Sequence, residues 1–326
     1  MKTRKILGVV LCVVMILGAF AGCGQKEEPL VGGEMRVGVL KGPTGIGASY
    51  LMDKSDKGET VNTYTFTIAA APTDLVGAFT QGELDVIALP TNVAASLYQK
   101  TEGKVQIVAV NTLSVLYILE NGETVNSIKD LEGKTIYANG QGANPEYILN
   151  YLLKANGLTP GENVTVEFKT PDEIVALMAT EDGAICMLPV PNVTAVMMKN
   201  ANTRIAVDLA EAWNEVTTEG QITTGCLVVR KEYAEQNPDA MKTFLAEYKE
   251  STEYVTANPK EASELVAKYE ITGSAAIAEA AIPKCNIVCI TGDEMKPALD
   301  GYYKVLFDAD PTSIGGAIPD DGFYFK

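Results

Sequence analysis

Residues 85–94 read DVIALPTNVA, and residues 184–194 read AICMLPVPNVT. In both segments an apolar run ends in Leu-Pro, a short turn follows, and Asn-Val opens a stretch with helical spacing. Each stretch then leads into another apolar run, at 105–110 and 204–207. This repetition predicts two similar lobes, each with a Leu-Pro loop at the carboxyl end of a strand, where open α/β sheets bind ligands. Coincidence of common residue types is the alternative.

The sequence around both segments alternates apolar runs with helix-like stretches, which predicts an α/β fold with largely parallel sheets. Asn144 can cap the helix that begins there, and Pro145 suits its first turn. We expect strands at 35–40, 65–70, 85–89, 105–110, 134–138, 164–168 and 184–188. We expect helices at 45–54, 73–81, 92–100, 144–156 and 171–179.

The last third of the chain predicts mainly helices. Residues 239–257 and 259–269 each follow an Asn-Pro pair that marks a helix start. A short apolar run at 287–290 precedes a last helix at 295–306. The single tryptophan, Trp213, lies in the amphipathic stretch 209–216, and we expect it in the core.

Composition excludes several functions. The 326 residues are 47% hydrophobic and 21% charged, enough for a large core and about two domains. A formal charge of −16 disfavours binding to nucleic acid. The chain has no histidine, which removes Ser-His-Asp and Cys-His catalysis and every histidine-ligated metal site.

The first 22 residues have the layout of a secretory signal peptide. A basic start is followed by the apolar run 6–22, whose end is rich in small residues. A transmembrane helix is the alternative, although the run is at the lower edge of spanning length. The polar stretch 24–33 then predicts a flexible tether.

The end of that run resembles the lipobox of bacterial lipoproteins. Residues 20–23 read FAGC, with Phe20 where that family usually has Leu. The resemblance implies cleavage before Cys23 and lipidation of its thiol. Residues 1–22 would then be the lipoprotein signal peptide and 23–34 a lipid-anchored tether, with the folded part held outside the cytoplasm.

Two glycine-bearing loops stand between a strand and a helix, GPTGIG at 42–47 and NGQGAN at 139–144. The first is not a phosphate-binding P-loop because Ala48 takes the place of the lysine. Such a loop can offer backbone N–H groups to a ligand, although a plain turn is the alternative. Gln141 and Asn144 add side-chain donors and acceptors to the second loop.

The remaining reactive residues predict no catalysis. Asp74, Glu83 and Asp85 fit a solvated face, and no pair of acids is spaced for acid/base work. Four cysteines remain beyond Cys23, at 186, 226, 285 and 289, and we expect buried free thiols rather than disulfides. Cys285 and Cys289 lack further ligands, so we expect neither a metal site nor a cofactor.

Several motifs, taken in order, resemble one family. They are residues 35–40 followed by KGPT at 41–44, GELDVIA at 82–88, IKDLEGKTI at 128–136, NPDAMKTFLAEY at 237–248 and NPKEASELVAKY at 258–269. Each is loose, and their order is what is specific. The chain resembles the substrate-binding lipoproteins of ABC importers, in the nitrate/sulfonate/taurine and thiamine-pyrimidine branch.

The resemblance implies a two-lobed, periplasmic-binding-protein-like (type II) fold with ligand caught between the lobes. Lobe one would be 35–112 plus 225–326 and lobe two 113–224, with crossings at 111–116 and 223–228. The residues expected to line the cleft are Lys41, Gly42, Thr44, Gly45, Pro90, Thr91, Asn92, Gln141, Gly142, Ala143, Asn144, Pro189, Val190, Pro191, Asn192, Thr223 and Thr224.

The ligand is less well defined. A sulfonate or nitrate needs a cation, and Lys41 is the one charged residue in these loops. A pyrimidine needs an aromatic platform, for which the candidates are Tyr50, Tyr117, Tyr137 and Tyr147. Because the loops are mostly neutral, they favour a neutral or weakly anionic organic molecule.

The resemblance also implies partners. We expect a monomer that delivers a small-molecule solute to an ABC permease and its ATPase, is attached to the membrane by its N-terminal lipid, and binds no nucleic acid. Two alternatives stay open. One is an enzyme of a menaquinone-type pathway built on the same fold, and the other is a lipid-anchored sensor or adhesion module with a degenerate cleft.

Overall fold

The strands form two sheets in the computed structural model, which describes residues 29–326. The first sheet contains β1 (Glu34–Leu40), β2 (Thr63–Ala69), β3 (Val86–Pro90), β4 (Val105–Leu113), β10 (Thr223–Arg230) and β11 (Ile287–Ile290). The second contains β5 (Leu116–Glu120), β6 (Thr135–Ala138), β7 (Thr165–Phe168), β8 (Ile185–Pro189) and β9 (Arg204–Asp208).

The two sheets share one strand order. The first runs β2-β1-β3-β10-β4, with β11 added beside β4, and the second runs β7-β6-β8-β5-β9. The Leu-Pro strands β3 and β8 take the same place in their sheets, each beside a strand from the other half of the chain. The internal repetition in the sequence is therefore a repetition of structure.

Both sheets are mixed, so the prediction of largely parallel sheets is confirmed only in part: four strands of each sheet run in the same direction. The pairs of β1 with β2 and β3, and of β6 with β7 and β8, are parallel. However, β10 is antiparallel to β3 and β4, and β5 is antiparallel to β8 and β9. These two strands directly follow passage of the chain from one sheet to the other, which reverses their direction.

The helices follow the predicted alternation. They are α1 (Pro43–Ile46), α2 (Ser49–Asp56), α3 (Pro72–Thr80), α4 (Thr91–Lys100), α5 (Asn144–Ala155), α6 (Pro171–Met178), α7 (Asn192–Lys199), α8 (Leu209–Val216), α9 (Lys231–Gln236), α10 (Pro238–Ala257), α11 (Pro259–Lys268), α12 (Ala275–Ala281) and α13 (Met295–Ala309). Short 3-10 helices lie at Ile128–Leu131, Ile282–Lys284, Gly292–Glu294, Pro311–Ile314 and Asp321–Phe323.

The single helix expected at 45–54 is two helices, and a serine explains the break. In a continuous helix the N–H of Leu51 would donate to the carbonyl of Gly47. Instead, Ser251 Oγ accepts from Leu51 N at 2.9 Å and donates to Gly47 O at 2.6 Å. A side chain inserted into the backbone ladder breaks or kinks a helix.

The chain crosses between the sheets in two places. The first crossing is shorter than expected, because β4 continues to Leu113 and β5 begins at Leu116. The segment expected to form the second crossing, 223–228, lies wholly within β10. That crossing therefore comes earlier, between α8 and β10. Asn286 Nδ2 donates to Ser114 O at 2.6 Å and so fastens the first crossing to a third segment.

The start of the described chain is fixed to the fold. Gly33 N donates to Asn62 Oδ1 at 2.8 Å, and Thr243 Oγ1 donates to Val31 O at 2.8 Å. The expected tether therefore ends before Val31. The predicted signal peptide and Cys23 lie outside the described residues. Within 29–326, no helix is both long and apolar enough to cross a bilayer.

Three further residue-level predictions can be compared with the core. Trp213 is fully buried, as expected. Asp85 is not on a solvated face: it is buried and paired with Arg36 and Arg230. Asn144 does not cap α5, because Ala143 occupies the cap position and no side chain caps that helix.

The four cysteines in the described part are free thiols, as the sequence predicted. Cys186, Cys226 and Cys285 are buried and Cys289 is half-buried. Burial raises the pKa of the Cys186 and Cys285 thiols to about 12, so both stay protonated at neutral pH.

Candidate functional site

Four of the predicted loops occupy equivalent places in the two sheets. Lys41–Gly45 follows β1 and 139–144 follows the equivalent strand β6. Pro90–Asn92 closes β3, and Pro189–Asn192 closes the equivalent strand β8. All four lie at the carboxyl ends of strands, where ligand sites form in open α/β sheets.

The first-lobe part of the site is tightly connected. Thr91 Oγ1 donates to Thr223 O at 2.5 Å, which joins the end of β3 to the start of β10. Next along β10, a Cβ on Gly225 would lie 2.4 Å from Thr44 Cγ2 and 2.7 Å from Asn111 Oδ1. Only glycine allows the loop after β1 to pack this closely against β10. Thr224 Oγ1 donates to Leu113 O at 2.5 Å.

Most backbone donors of the loop after β1 are already used. Lys41 N donates to Ala69 O, Gly42 N to Ile271 O and Gly45 N to Gly42 O, each at 2.9–3.0 Å. Helix α1 is only one turn long. The Lys41 side chain is 46% exposed and lies 3.8 Å from Glu270 Oε2. This loop therefore offers an anion little beyond one screened cation.

The second lobe reaches the first through Asn144. Asn144 Nδ2 donates to the Tyr302 hydroxyl of α13 at 3.2 Å. Burial raises the pKa of Tyr302 above its ordinary value, while hydrogen bonds with Asn144 and Thr91 lower it, and burial prevails. Tyr302 therefore keeps its proton at neutral pH.

The rest of the loop after β6 is exposed, including Gln141, Gly142 and Ala143. Gly142 N donates to Glu146 Oε2 at 2.6 Å, and the Tyr147 hydroxyl lies 3.1 Å from Gly142 O. The same hydroxyl is 3.1 Å from Asp310 Oδ2, beyond the end of α13. This is a second polar contact between the lobes, next to that of Asn144.

The loop after β8 lies against the first crossing. Val190 N donates to Val115 O at 2.9 Å, and Pro189 is paired with Leu116 of β5. The Val190–Pro191 peptide bond is cis. Asn192 begins α7 and is half-buried. Of the equivalent residues in the first lobe, Asn92 is directed to Ser313 O, at 3.5 Å.

Several buried polar atoms near these loops have no hydrogen-bond partner among the residues described. They are Asn139 Oδ1, Asn144 Oδ1, Thr223 Oγ1 and Trp213 Nε1. Buried polar atoms are normally paired, because an unpaired one costs about 1–3 kcal/mol. Three of the four belong to the loop after β6 or to the start of β10. The site is therefore polar, neutral and incompletely paired.

The tyrosines considered as ring platforms already have partners. Tyr50 is stacked on Tyr254 with centroids 3.8 Å apart, the hydroxyl of buried Tyr117 donates to Lys284 O, Lys169 Nζ lies over the ring of Tyr137, and Tyr147 contacts Gly142 and Asp310. Two tyrosines of α13 also adjoin the loops, because the Tyr302 hydroxyl accepts from Asn144 and the Tyr303 hydroxyl donates to Thr91 O at 3.0 Å.

Sequence reasoning missed Tyr302, which carries the contact between the lobes. No local pattern marks it, because it lies on the core face of an amphipathic helix. Asn139 was visible in the NGQGAN motif but was left out of the predicted set. In the part of the chain that the structure describes, no group of three metal-ligating side chains is placed to hold an ion.

A surface cavity of about 1040 Å³ lies elsewhere, lined by residues that include Gly82, Lys104 and Arg230. These residues stand at the amino ends of β3 and β4 and at the carboxyl end of antiparallel β10. The cavity is thus at the edge of the first sheet opposite the candidate loops and is not part of the site.

The family model described as NMT1/THI5 like matches residues 68–262. The chain belongs to this family. A curated relative from Brucella abortus, named "Putative binding protein", is 24% identical over 198 residues, which is 59% of this chain and 60% of that protein. A Brucella suis protein of the same description matches equally. The chain thus spans about 60% of the length of these relatives.

Solved structures extend the likeness in fold over nearly the whole chain. An ABC transporter protein from Parabacteroides distasonis gives a TM-score of 0.74 at 21% identity, covering 91% of this chain and 99% of that one. The periplasmic aliphatic sulphonate binding protein SsuA of Escherichia coli gives 0.68 at 16% identity, covering 92% and 93%. The two-lobed periplasmic-binding-protein fold is therefore confirmed.

Proposed function

We propose that this NMT1/THI5-like protein is the extracytoplasmic solute-binding component of an ABC importer. It captures a small organic or oxyanion solute between its lobes and delivers it to a membrane permease driven by an ATPase. The main support is the meeting of both lobes at one polar site, through Asn144 and Tyr302. The binding-protein descriptions of its relatives and structural neighbours agree with this proposal.

The proposed binding mechanism is closure about the crossings. A solute that contacts loops of both lobes does so only when the lobes are closed, so it shifts the equilibrium by its differential affinity for that state. The proposed site comprises the seventeen residues that the sequence suggested, with Asn139 and Tyr302 added. The glycine at 225 keeps the first-lobe loop close to β10.

The proposed lobes follow from sheet membership. Residues 35–112 contribute four strands to the first sheet, and 225–326 contribute β11 and most of β10. Residues 113–224 contain every strand of the second sheet. Thr223 and Thr224 already belong to β10, so we place the second boundary just before them.

The proposed location is outside the cytoplasm, with the chain attached by a lipid on Cys23 after cleavage of residues 1–22. The support is the basic start, the apolar run and the FAGC sequence. A single acyl chain binds membranes only marginally, whereas two give stable attachment. We propose that the protein acts as a monomer.

Native mass spectrometry of gently purified residues 24–326, followed by thermal shifts, tests the proposal. The panel contains sulfonates, nitrate, bicarbonate, pyrimidines, ureas, amides and vitamin precursors. A solute at one hundred times its Kd stabilises the native state by about 2.7 kcal/mol, which is readily seen. A co-purified solute or a clear shift supports capture. A bare chain that no compound stabilises would contradict it.

A further inference from the structure

Two polar contacts define the part of the site where the lobes meet. Asn144 Nδ2 of the second lobe donates to the Tyr302 hydroxyl of α13 at 3.2 Å, and Thr91 Oγ1 donates to Thr223 O at 2.5 Å. A carbonyl only accepts, so the Thr91 hydroxyl uses its single proton in the second contact.

The contact with Tyr302 orients the amide of Asn144. A lone pair of the Tyr302 hydroxyl accepts from Asn144 Nδ2. The amide of Asn144 is therefore held with its nitrogen towards Tyr302 and its oxygen away from it. That oxygen, Oδ1, is buried and unpaired within the described part of the chain.

Two more unpaired oxygens belong to the same part of the site. Asn139 Oδ1 comes from the same loop as Asn144, and Thr223 Oγ1 comes from the residue whose carbonyl accepts from Thr91. The two amide oxygens can only accept, and the threonine hydroxyl can do either. These atoms of the site can therefore pair mainly with hydrogen-bond donors on the ligand.

The charge of the loops agrees with this requirement. The four loops, at 41–45, 89–92, 139–144 and 189–192, contain no arginine, aspartate or glutamate. Their one cation, Lys41, is half-exposed and lies near Glu270. A sulfonate or nitrate would present only acceptors to the amide oxygens, leaving both sides unpaired. An organic cation would find no carboxylate in these loops.

We propose that the solute is a neutral molecule carrying N–H donors, such as a urea or a primary amide, and that Asn144 Oδ1 accepts one of them. This inference rests on the proposed function, because it names the chemistry bound by the same cleft. It assigns Asn144 as a specificity-determining residue and Tyr302 as the residue that positions it.

The test compares probes of equal length on residues 24–326. Propylurea and butyramide are set against propanesulfonate, with nitrate as a small anion, each at millimolar concentration by thermal shift and calorimetry. We expect the urea and the amide to raise the Tm and the anions to leave it unchanged. Asn144→Leu should weaken urea binding at least tenfold, whereas Asn214→Leu, at an exposed amide of α8, should not change it.

A second variant keeps the test decisive if Asn144→Leu is poorly folded. Tyr302→Phe leaves the ring but frees the amide of Asn144, so urea binding should weaken several-fold. Stabilisation by propanesulfonate or nitrate alone would overturn this inference and leave the proposed binding function intact. Stabilisation by neither class, in this test and in the wider panel, would overturn both.

Discussion

Asp85 is a buried acid held by two arginines. Its side chain is 3% exposed, and its two oxygens accept from Arg36 N, Nε and Nη2 at 2.6–2.9 Å and from Arg230 Nη2 at 2.5 Å. Burial alone would raise the pKa of Asp85, but these hydrogen bonds and charges prevail and lower it. The carboxylate joins the start of β1 to the end of β10.

Replacing this carboxylate should weaken the first lobe. Asp85→Asn keeps the shape but leaves Arg36 and Arg230 without their anion. Removing one partner of a buried ion pair costs about 3–5 kcal/mol, and because both arginines are partly exposed we expect about 2–3 kcal/mol. Urea unfolding measures this loss. The control Glu83→Gln, an exposed acid two residues earlier, should stay within about 0.5 kcal/mol of the native protein.

The same residue predicts a dependence on pH. The folded-state pKa of Asp85 is below its unfolded value of 3.8, so its contribution is present above that value and is lost as pH falls through the folded pKa. Glu120, where burial is outweighed by bonds from Thr124, Val125 and Arg204, should behave likewise below 4.5. When unfolding is measured between pH 6 and pH 3, the free energy of unfolding should decrease as the pH is lowered. The decrease should be less steep in Asp85→Asn. Equal slopes would contradict this reading.

Two glycines, one in a strand and one in a helix, should respond in opposite ways to replacement by alanine. A Cβ at Gly225 in β10 would meet Thr44 and Asn111 at 2.4–2.7 Å, whereas a Cβ at Gly77 in α3 meets nothing within 4 Å. Gly225→Ala should therefore cost about 1–3 kcal/mol and weaken solute binding. Gly77→Ala should add up to about 1 kcal/mol of helix stability and leave binding unchanged. Thermal melts with and without solute test both. Equal effects would show that the packing of β10 against Thr44 is not specific.

Elements with a strong local pattern were predictable and those defined by distant partners were not. The Leu-Pro strands, the Asn-Pro helix starts and α8 are local patterns, and the structure has them within a few residues. By contrast, the sequence predicts a crossing where β10 lies, because nothing local shows that this segment pairs with β3 and β4. The break between α1 and α2 depends on Ser251, two hundred residues away.

The candidate site divides in the same way. Its loops could be located because glycine, proline and asparagine mark strand ends, and Asn144 was among the residues chosen. The partner that orients Asn144 could not be located, since Tyr302 looks like any core residue of an amphipathic helix. The partners of Asp85 could not be located either. The acids at 74, 83 and 85 suggest a solvent-exposed face, and no local pattern shows that Arg36 and Arg230 are paired with Asp85.

Helices of the two lobes contact each other in two places. Helix α13 of the first lobe packs on α5 of the second, and α12 of the first packs on α7 of the second. Trp213 on α8 lies between Tyr151 and Tyr302, with ring centroids at 4.7 and 6.1 Å. An opening of the lobes would have to separate the two helix pairs and the contact of Trp213 with Tyr302, so each of these stabilises the closed arrangement at the expense of the open one.

Removing the contact of Tyr147 with Asp310 tests whether such contacts stabilise the closed arrangement. Tyr147→Phe removes the polar link between α5 and the end of α13, together with the contact of the same hydroxyl with Gly142 O, and leaves Asn139, Asn144 and Thr223 in place. A hydrogen bond is worth about 0.5–1.5 kcal/mol, so the closed state should become about two- to tenfold less favoured and the apparent Kd should rise by a similar factor.

Calorimetry gives that Kd, and small-angle scattering of the ligand-free protein should show a larger radius of gyration for Tyr147→Phe. The matched control is Tyr254→Phe, whose ring stacks on Tyr50 within the first lobe, and it should change neither quantity. If Tyr147→Phe binds solute as tightly as the native chain, closure does not depend on the joint between α5 and α13. Closure would then be controlled by the contact of α12 with α7, or by the hydrogen bonds at the first crossing. In those bonds Asn286 donates to Ser114 O and Thr224 donates to Leu113 O.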